Sequence, residues 1–145
     1  MRMLTIISLC ICAMLNANTL QAIEVNIEVT DIEVARGGSL SVMIFGKAGF
    51  PKVHKKALLI QKSSELQETM NFVFNLDTKE FAIKVWHDED NNEKVTKNWS
   101  GVYPSEGLGF SNGQKVSFTG APGYKKSKLQ TSQLSSKLHI PVLYP

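Results

Sequence analysis

The chain has 145 residues, 43% of them hydrophobic, with 16 basic and 13 acidic residues and a formal net charge of +3. That length suits one hydrophobic core and is too short for two ordinary domains. The near balance of charge argues against a dedicated nucleic-acid binder.

In chain order, Met1-Arg2-Met3 is a short cationic start, Leu4 to Leu15 is largely apolar, and Asn16 to Ala22 is small and polar. This layout predicts a secretory signal peptide over residues 1–22 and a single domain over 23–145, exported to the periplasm or out of the cell. The apolar run is too short for a permanent span, and no later stretch approaches the roughly 18 apolar residues of a transmembrane helix. Cys10 and Cys12 both fall in the segment expected to be removed, behind Leu9 and Ile11 rather than the small residue of a lipoprotein signal. The exported chain is therefore expected to lack disulfides and thiolate metal sites.

Ile23, Val25, Ile27 and Val29 alternate with polar residues, the period of a strand with one buried face. After Arg36-Gly37-Gly38-Ser39, Leu40, Val42 and Ile44 begin a second strand, and the glycine pair suggests a hairpin between the two. Further strands are predicted at Ala57–Ile60, Met70–Leu76, around Phe81, Ile83 and Val85, at Val116–Phe118, and at Leu138–Tyr144. Pro141 makes the last an edge strand or places a bulge in it. No helix exceeds two turns, and residues 119–136 read as a long loop. The expected fold is all-β, a seven-stranded antiparallel β-sandwich in which each sheet has one apolar face. No acid follows Glu106, whereas Lys115, Lys125, Lys126, Lys128 and Lys137 do. A solvated basic loop and contact with an anionic envelope polymer both explain that bias.

The chemically dense stretch is His87 to Asn98. Asp88, Asp90 and Asn92 stand at positions one, three and five of a D-x-D-x-N run, which in a curled loop turns side-chain oxygens toward one centre, as in calcium loops. The Lys94 carbonyl and the Thr96 hydroxyl fall at positions seven and nine. Glu93 occupies the place of the turn glycine, and position twelve is Trp99, so Glu106 would have to supply the closing carboxylate. A calcium site and a plain acidic turn held by side-chain to backbone bonds are the two readings.

Gly49-Phe50-Pro51, the run from Phe81 to Asn92, and Tyr103-Pro104-Ser105-Glu106-Gly107-Leu108-Gly109-Phe110-Ser111-Asn112 together resemble the family called domain of unknown function 2141, small exported bacterial proteins. The resemblance covers nearly all of 23–145. It implies a transthyretin-like or immunoglobulin-like β-sandwich, similar also to carboxypeptidase-regulatory-like domains, with no established activity. Its motif positions are Gly49, Phe50, Pro51, His87, Asp88, Asp90, Asn92, Pro104, Glu106, Gly107, Gly109, Phe110, Ser111 and Asn112. The family's loop runs closer to D-x-N-x-N-G-x-x-D, from which Glu93 and Thr96 depart. Gly107 and Gly109 read as positions needing room or unusual dihedrals, and Phe110 as an anchor to the core.

His87 beside Asp88, with Glu106 and Ser111 nearby in sequence, could form a hydrolytic set, but His87 also continues the inward alternation of its strand. Trp86 and Trp99 could offer an aromatic platform for sugars, or one could cover the sandwich edge. The expected function is a non-enzymatic exported cell-envelope binding or structural module, with the acidic loop a candidate calcium site and an envelope polymer or protein a candidate partner. The alternatives are a carrier of a small hydrophobic or sugar ligand, and a weak hydrolase using His87 and Glu106.

Overall fold

The computed structural model describes residues 21–134 and 136–145; nearly all of the expected signal peptide, and both cysteines, lie outside the described residues. Two sheets enclose one core. The first has the order β4-β1-β8, formed by Met70–Leu76, Ile23–Thr30 and Leu138–Pro141. The second has the order β3-β2-β5-β6, from Leu59–Ser63, Ser39–Phe45, Glu80–Asp88 and Gly107–Phe110, with the short β7, Leu129–Gln130, paired to the start of β5. Val25, Ile27, Val29, Phe72, Phe74 and Leu76 of the first sheet meet Leu40, Val42, Ile44, Phe81, Ile83 and Val85 of the second in a single apolar cluster. The all-β reading holds, with eight strands rather than seven. They are not all antiparallel, because β1 and β8 run parallel. Pro141 sits on the edge strand β8, where its missing N–H costs no ladder bond.

Several sequence expectations are corrected. β1 and β2 do not form a hairpin: they belong to different sheets, and the glycine pair carries the chain across the sandwich. Gly38 has φ +76°, and a Cβ there would lie 2.1 Å from the Asp88 carbonyl oxygen, so the crossing is packed on the end of β5. The third strand begins at Leu59, two residues beyond the expected Ala57. Val116–Phe118 is not a strand; Ser117 makes only a bridge to Gly120, and Phe118 is 91% exposed. Gly107–Phe110, outside the expected strands, is β6, and the expected long loop holds a short helix α1, Tyr124–Ser127, as well as β7.

The second sheet is also apolar on both faces. Every residue of β2 is buried, as is all of β5 after Glu80. Met43, Phe45, Trp86, Leu108 and Phe110 form a cluster on its outer face, covered in part by Phe50, Ala57, Val95 and Val116. Phe50 makes edge-to-face contacts with Phe45, Phe110 and Tyr124, with ring centroids 5.6, 6.3 and 6.0 Å apart. This outer layer carries the chemistry.

Candidate functional site

Alternation along β5 divides its side chains. Phe81, Ile83, Val85 and His87 face the other sheet, while Lys84, Trp86 and Asp88 face outward under the covering loops. β6 pairs antiparallel with β5, Lys84 opposite Phe110, Trp86 opposite Leu108 and His87 opposite Gly107. Asp88 and Glu106 are the residues that follow and precede the last pair of this ladder. The intervening chain is folded back by a Lys97–Pro104 bridge, with Asn98 N–H on Tyr103 C=O at 2.8 Å and Ser105 N–H on Thr96 C=O at 2.9 Å. That doubling back brings Glu106 onto the acidic loop, although eighteen positions separate it from Asp88 in sequence.

One carboxylate oxygen from each of Asp88, Asp90 and Glu106 lies within 4.8 Å of the other two. Asp88 and Glu106 are buried, at 0% and 3% exposure, and Asp90 is exposed. Asp88 accepts from the N–H groups of Asn92 and Glu93 at 3.2 and 3.1 Å. Asp90 accepts from Asn92 N–H at 3.1 Å and from the Asn92 side-chain amide at 2.7 Å. Thr96 joins the loop through its hydroxyl, 2.9 Å from the Asn92 amide nitrogen and 3.4 Å from Asp90. Lys94 is exposed, and its N–H donates to Asn92 Oδ1 at 2.7 Å. The curl takes positive φ at Asn91 (+55°) and at Glu93 (+60°), so the backbone makes the sharp turn without the expected glycine.

Glu106 Oε2 accepts from Trp86 Nε1–H at 2.9 Å and Thr96 N–H at 3.0 Å. Its Oε1 is buried and has no hydrogen-bond partner among the described residues. Burial holds the Glu106 carboxyl above the usual carboxylate range; the Trp86 and Thr96 bonds pull it down, and the charges of Asp88 and Asp90 push it up. Opposed like charges on a sheet destabilise it, and a buried carboxylate oxygen without a partner is costly. Three carboxylates beside an amide and a hydroxyl, with no sulfur or imidazole, make an oxygen-only donor set of the kind hard cations prefer.

The remaining motif residues serve the architecture around this corner. His87 is fully buried on the opposite face of β5 from Trp86, with Nδ1 2.7 Å from the Tyr144 hydroxyl and Nε2 2.6 Å from the Gly37 carbonyl. The structure therefore does not bring His87 together with Glu106. Ser111 is buried as well, its hydroxyl accepting from Ile83 N–H at 2.9 Å and donating to Ser127 C=O at 2.5 Å. The Asn112 amide donates to the Lys128 carbonyl at 2.8 Å, tying down the α1 turn. At Gly107 a Cβ would lie 2.4 Å from the Tyr144 ring, and at Gly109 2.7 Å from the Pro141 carbonyl, so both give β8 and the residues after it room to approach. Pro104 closes the bridge to Lys97, and Gly49-Phe50-Pro51 forms a turn with a cis Phe50–Pro51 bond beneath the cluster. Of the tryptophans, Trp86 covers the sheet at 4% exposure and Trp99 is 99% exposed, so the two form no common platform.

Sequence spacing singles out neither Lys84 nor His54, yet both stand beside Trp86. Lys84 Nζ is 2.7 Å from His54 Nε2 and donates to Pro51 C=O at 3.1 Å, and the His54 ring tilts over Trp86 with centroids 4.8 Å apart. The available signal is a lysine inside the apolar run Phe81–Trp86.

No curated protein and no solved structure matches the chain. Residues 27–139 match the family described as an uncharacterized protein conserved in bacteria (DUF2141), and by a match over that much of its length the chain belongs to this family.

Proposed function

We propose that the protein is an exported module of the cell envelope that acts by binding, and that its acidic loop takes a calcium ion. The signal-like residues 1–22 support export. The observation that carries the ion is Glu106 Oε1, a buried oxygen without a partner among the described residues, set against Asp88 and Asp90. A cation there offsets the mutual repulsion of the three carboxylates and satisfies that oxygen. Asp88, Asp90 and Glu106 would supply the charge, with the Thr96 hydroxyl and backbone carbonyls of the curl completing an oxygen shell. Locking the loop fixes the outer face of the second sheet, and loops held by a rigid scaffold are where binding surfaces are built.

The test is thermal and urea unfolding with calcium, with magnesium and with chelator. Calcium at about a hundred times its dissociation constant raises the unfolding free energy by about 2.7 kcal/mol. Magnesium does less, because it demands a tighter octahedral shell. Coincident curves in calcium and chelator would overturn the ion.

A further inference from the structure

Beside the acidic loop, and without requiring an ion in it, the outer face of the second sheet opens into a cleft of about 670 Å³. That volume falls within the roughly 300–1,000 Å³ of small-molecule sites. Its floor and walls include Leu108 and Phe110 of the outer apolar cluster and Val95 and Val116, which partly cover that cluster. Lys84 also lines it, and so do Lys52, Lys55, Lys94 and Lys97 around its rim, against one acid, Glu93.

Lys84 is the unusual group. It is only 3% exposed and forms no salt bridge among the described residues, where lysines are seldom fully buried without a partner. An ammonium has three donors, and Lys84 has two neighbours for them, the Pro51 carbonyl and His54 Nε2. His54 holds its own charge off: burial first, and Lys84 second, lower it to about 4, so the imidazole is a neutral acceptor for Lys84 at ordinary pH. One cation, with one donor to spare, thus lies at the base of an apolar cleft whose rim is also cationic.

We propose that this cleft binds a small amphipathic carboxylate, its aliphatic body on Val95, Leu108, Phe110 and Val116 and its carboxylate paired with the Lys84 ammonium. Charge and shape both select this class. A neutral hydrocarbon leaves the buried ammonium unpaired, whereas a short hydrophilic anion leaves the apolar walls wet. The carboxylate supplies the counter-charge that the protein's own acids do not bring within salt-bridge distance of Lys84.

The experiment is calorimetric titration of the purified protein with dodecanoate, kept below micelle formation, alongside dodecanol and butyrate. Dodecanoate is expected to bind at least about tenfold more tightly than dodecanol, the ratio that one charge-assisted pair supplies, and butyrate is expected not to register. Lys84→Met should abolish the preference for dodecanoate over dodecanol. Val116→Trp, which fills the cleft and leaves Lys84 in place, should abolish both, and it covers the case in which Lys84→Met does not fold. Equal binding of dodecanoate and dodecanol, an unchanged preference in Lys84→Met, or sedimentation with anionic vesicles without binding of monomeric dodecanoate would each overturn the proposal. Repeating the titration in chelator separates it from the calcium reading, since the cleft residues do not depend on an ion.

Discussion

Trp86 Nε1–H donates to Glu106 Oε2 at 2.9 Å, and through that bond the outer face of β5 joins two sites of opposite charge. On one side of the indole lie Glu106, Asp88 and Asp90; on the other lie His54 and Lys84. Trp86→Phe keeps a six-membered aromatic ring and removes the N–H donor together with part of the buried indole. The lost bond to a charged group is expected to cost about 1.5–3 kcal/mol in urea unfolding, with the lost ring area adding to it, and leaves Glu106 Oε2 with only the Thr96 N–H. Calcium should recover part of that loss, and chelator should expose all of it.

Glu106→Gln makes a sharper prediction because its sign depends on calcium. In chelator the variant is expected to be more stable than the parent, by on the order of 1 kcal/mol, since it removes one charge opposed to Asp88 and adds an amide donor. In saturating calcium the order reverses, because the variant loses a charged ligand. Two melting curves per protein decide it, and a variant less stable under both conditions contradicts the account.

Glu93→Gly tests the turn. Glu93 holds φ +60°, a conformation that costs an ordinary residue about 1–2 kcal/mol and glycine almost nothing. Glycine's greater freedom in the unfolded chain offsets part of that gain. A net stabilisation of about 0.5–1 kcal/mol is expected, with tighter calcium binding, since the loop is held in its curled form at lower cost. Weaker binding would mean that the Glu93 side chain itself serves the ion.

The legible and illegible parts of the sequence divide along physical lines. Period-two alternation shows β1 and β4 plainly, because each has one wet face: Val25, Ile27 and Val29 are buried, and Val73 is exposed between Phe72 and Phe74. The spacing of Asp88, Asp90 and Asn92 shows the loop, and the search for a closing acid leads to Glu106. Three things escape local patterns. Gly37-Gly38 has the signature of a hairpin, yet whether a turn returns to its own sheet or crosses to the other is decided by distant packing. β6 is a strand of four residues, two of them glycine, so propensity argues against it; its register with β5 holds it in place. Met43, Phe45 and Trp86 look like an outer face until Phe50, Val95 and Val116 arrive from elsewhere in the chain to cover them. Lys84 becomes conspicuous only under that cover.

Gly107→Ala should be among the most damaging small substitutions. The added methyl would fall 2.4 Å from Tyr144 Cε1 and 2.6 Å from Val142 Cγ1, so the segment after β8 must move away from β6. Overpacking of this kind costs about 1–3 kcal/mol. Tyr144 also bonds His87 Nδ1, so the displacement exposes a buried imidazole. A histidine NMR resonance that shifts in Gly107→Ala, together with the lowered urea midpoint, is the expected signature.

The last prediction concerns pH and isolates Lys84. Burial lowers its ammonium from 10.5 to about 8, with the Glu106 charge pulling the other way. Below about 8 the lysine is protonated in both folded and unfolded chains, and the full cost of burying the charge is present. Between about 8 and 10.5 the unfolded chain binds the proton and the folded chain does not, so stability rises with pH through that window. The size of the rise is about 3 kcal/mol, at 1.36 kcal/mol per unit. Lys84→Met lacks this contribution, and subtracting its pH profile from that of the parent cancels the other lysines and the tyrosines. Near neutrality the variant is expected to be the more stable protein, by less than the full amount because the Pro51 carbonyl loses its donor. A bound dodecanoate should flatten the parent's rise, since a carboxylate beside the ammonium restores its affinity for the proton. A parent profile parallel to that of Lys84→Met would show that burial does not lower the Lys84 ammonium.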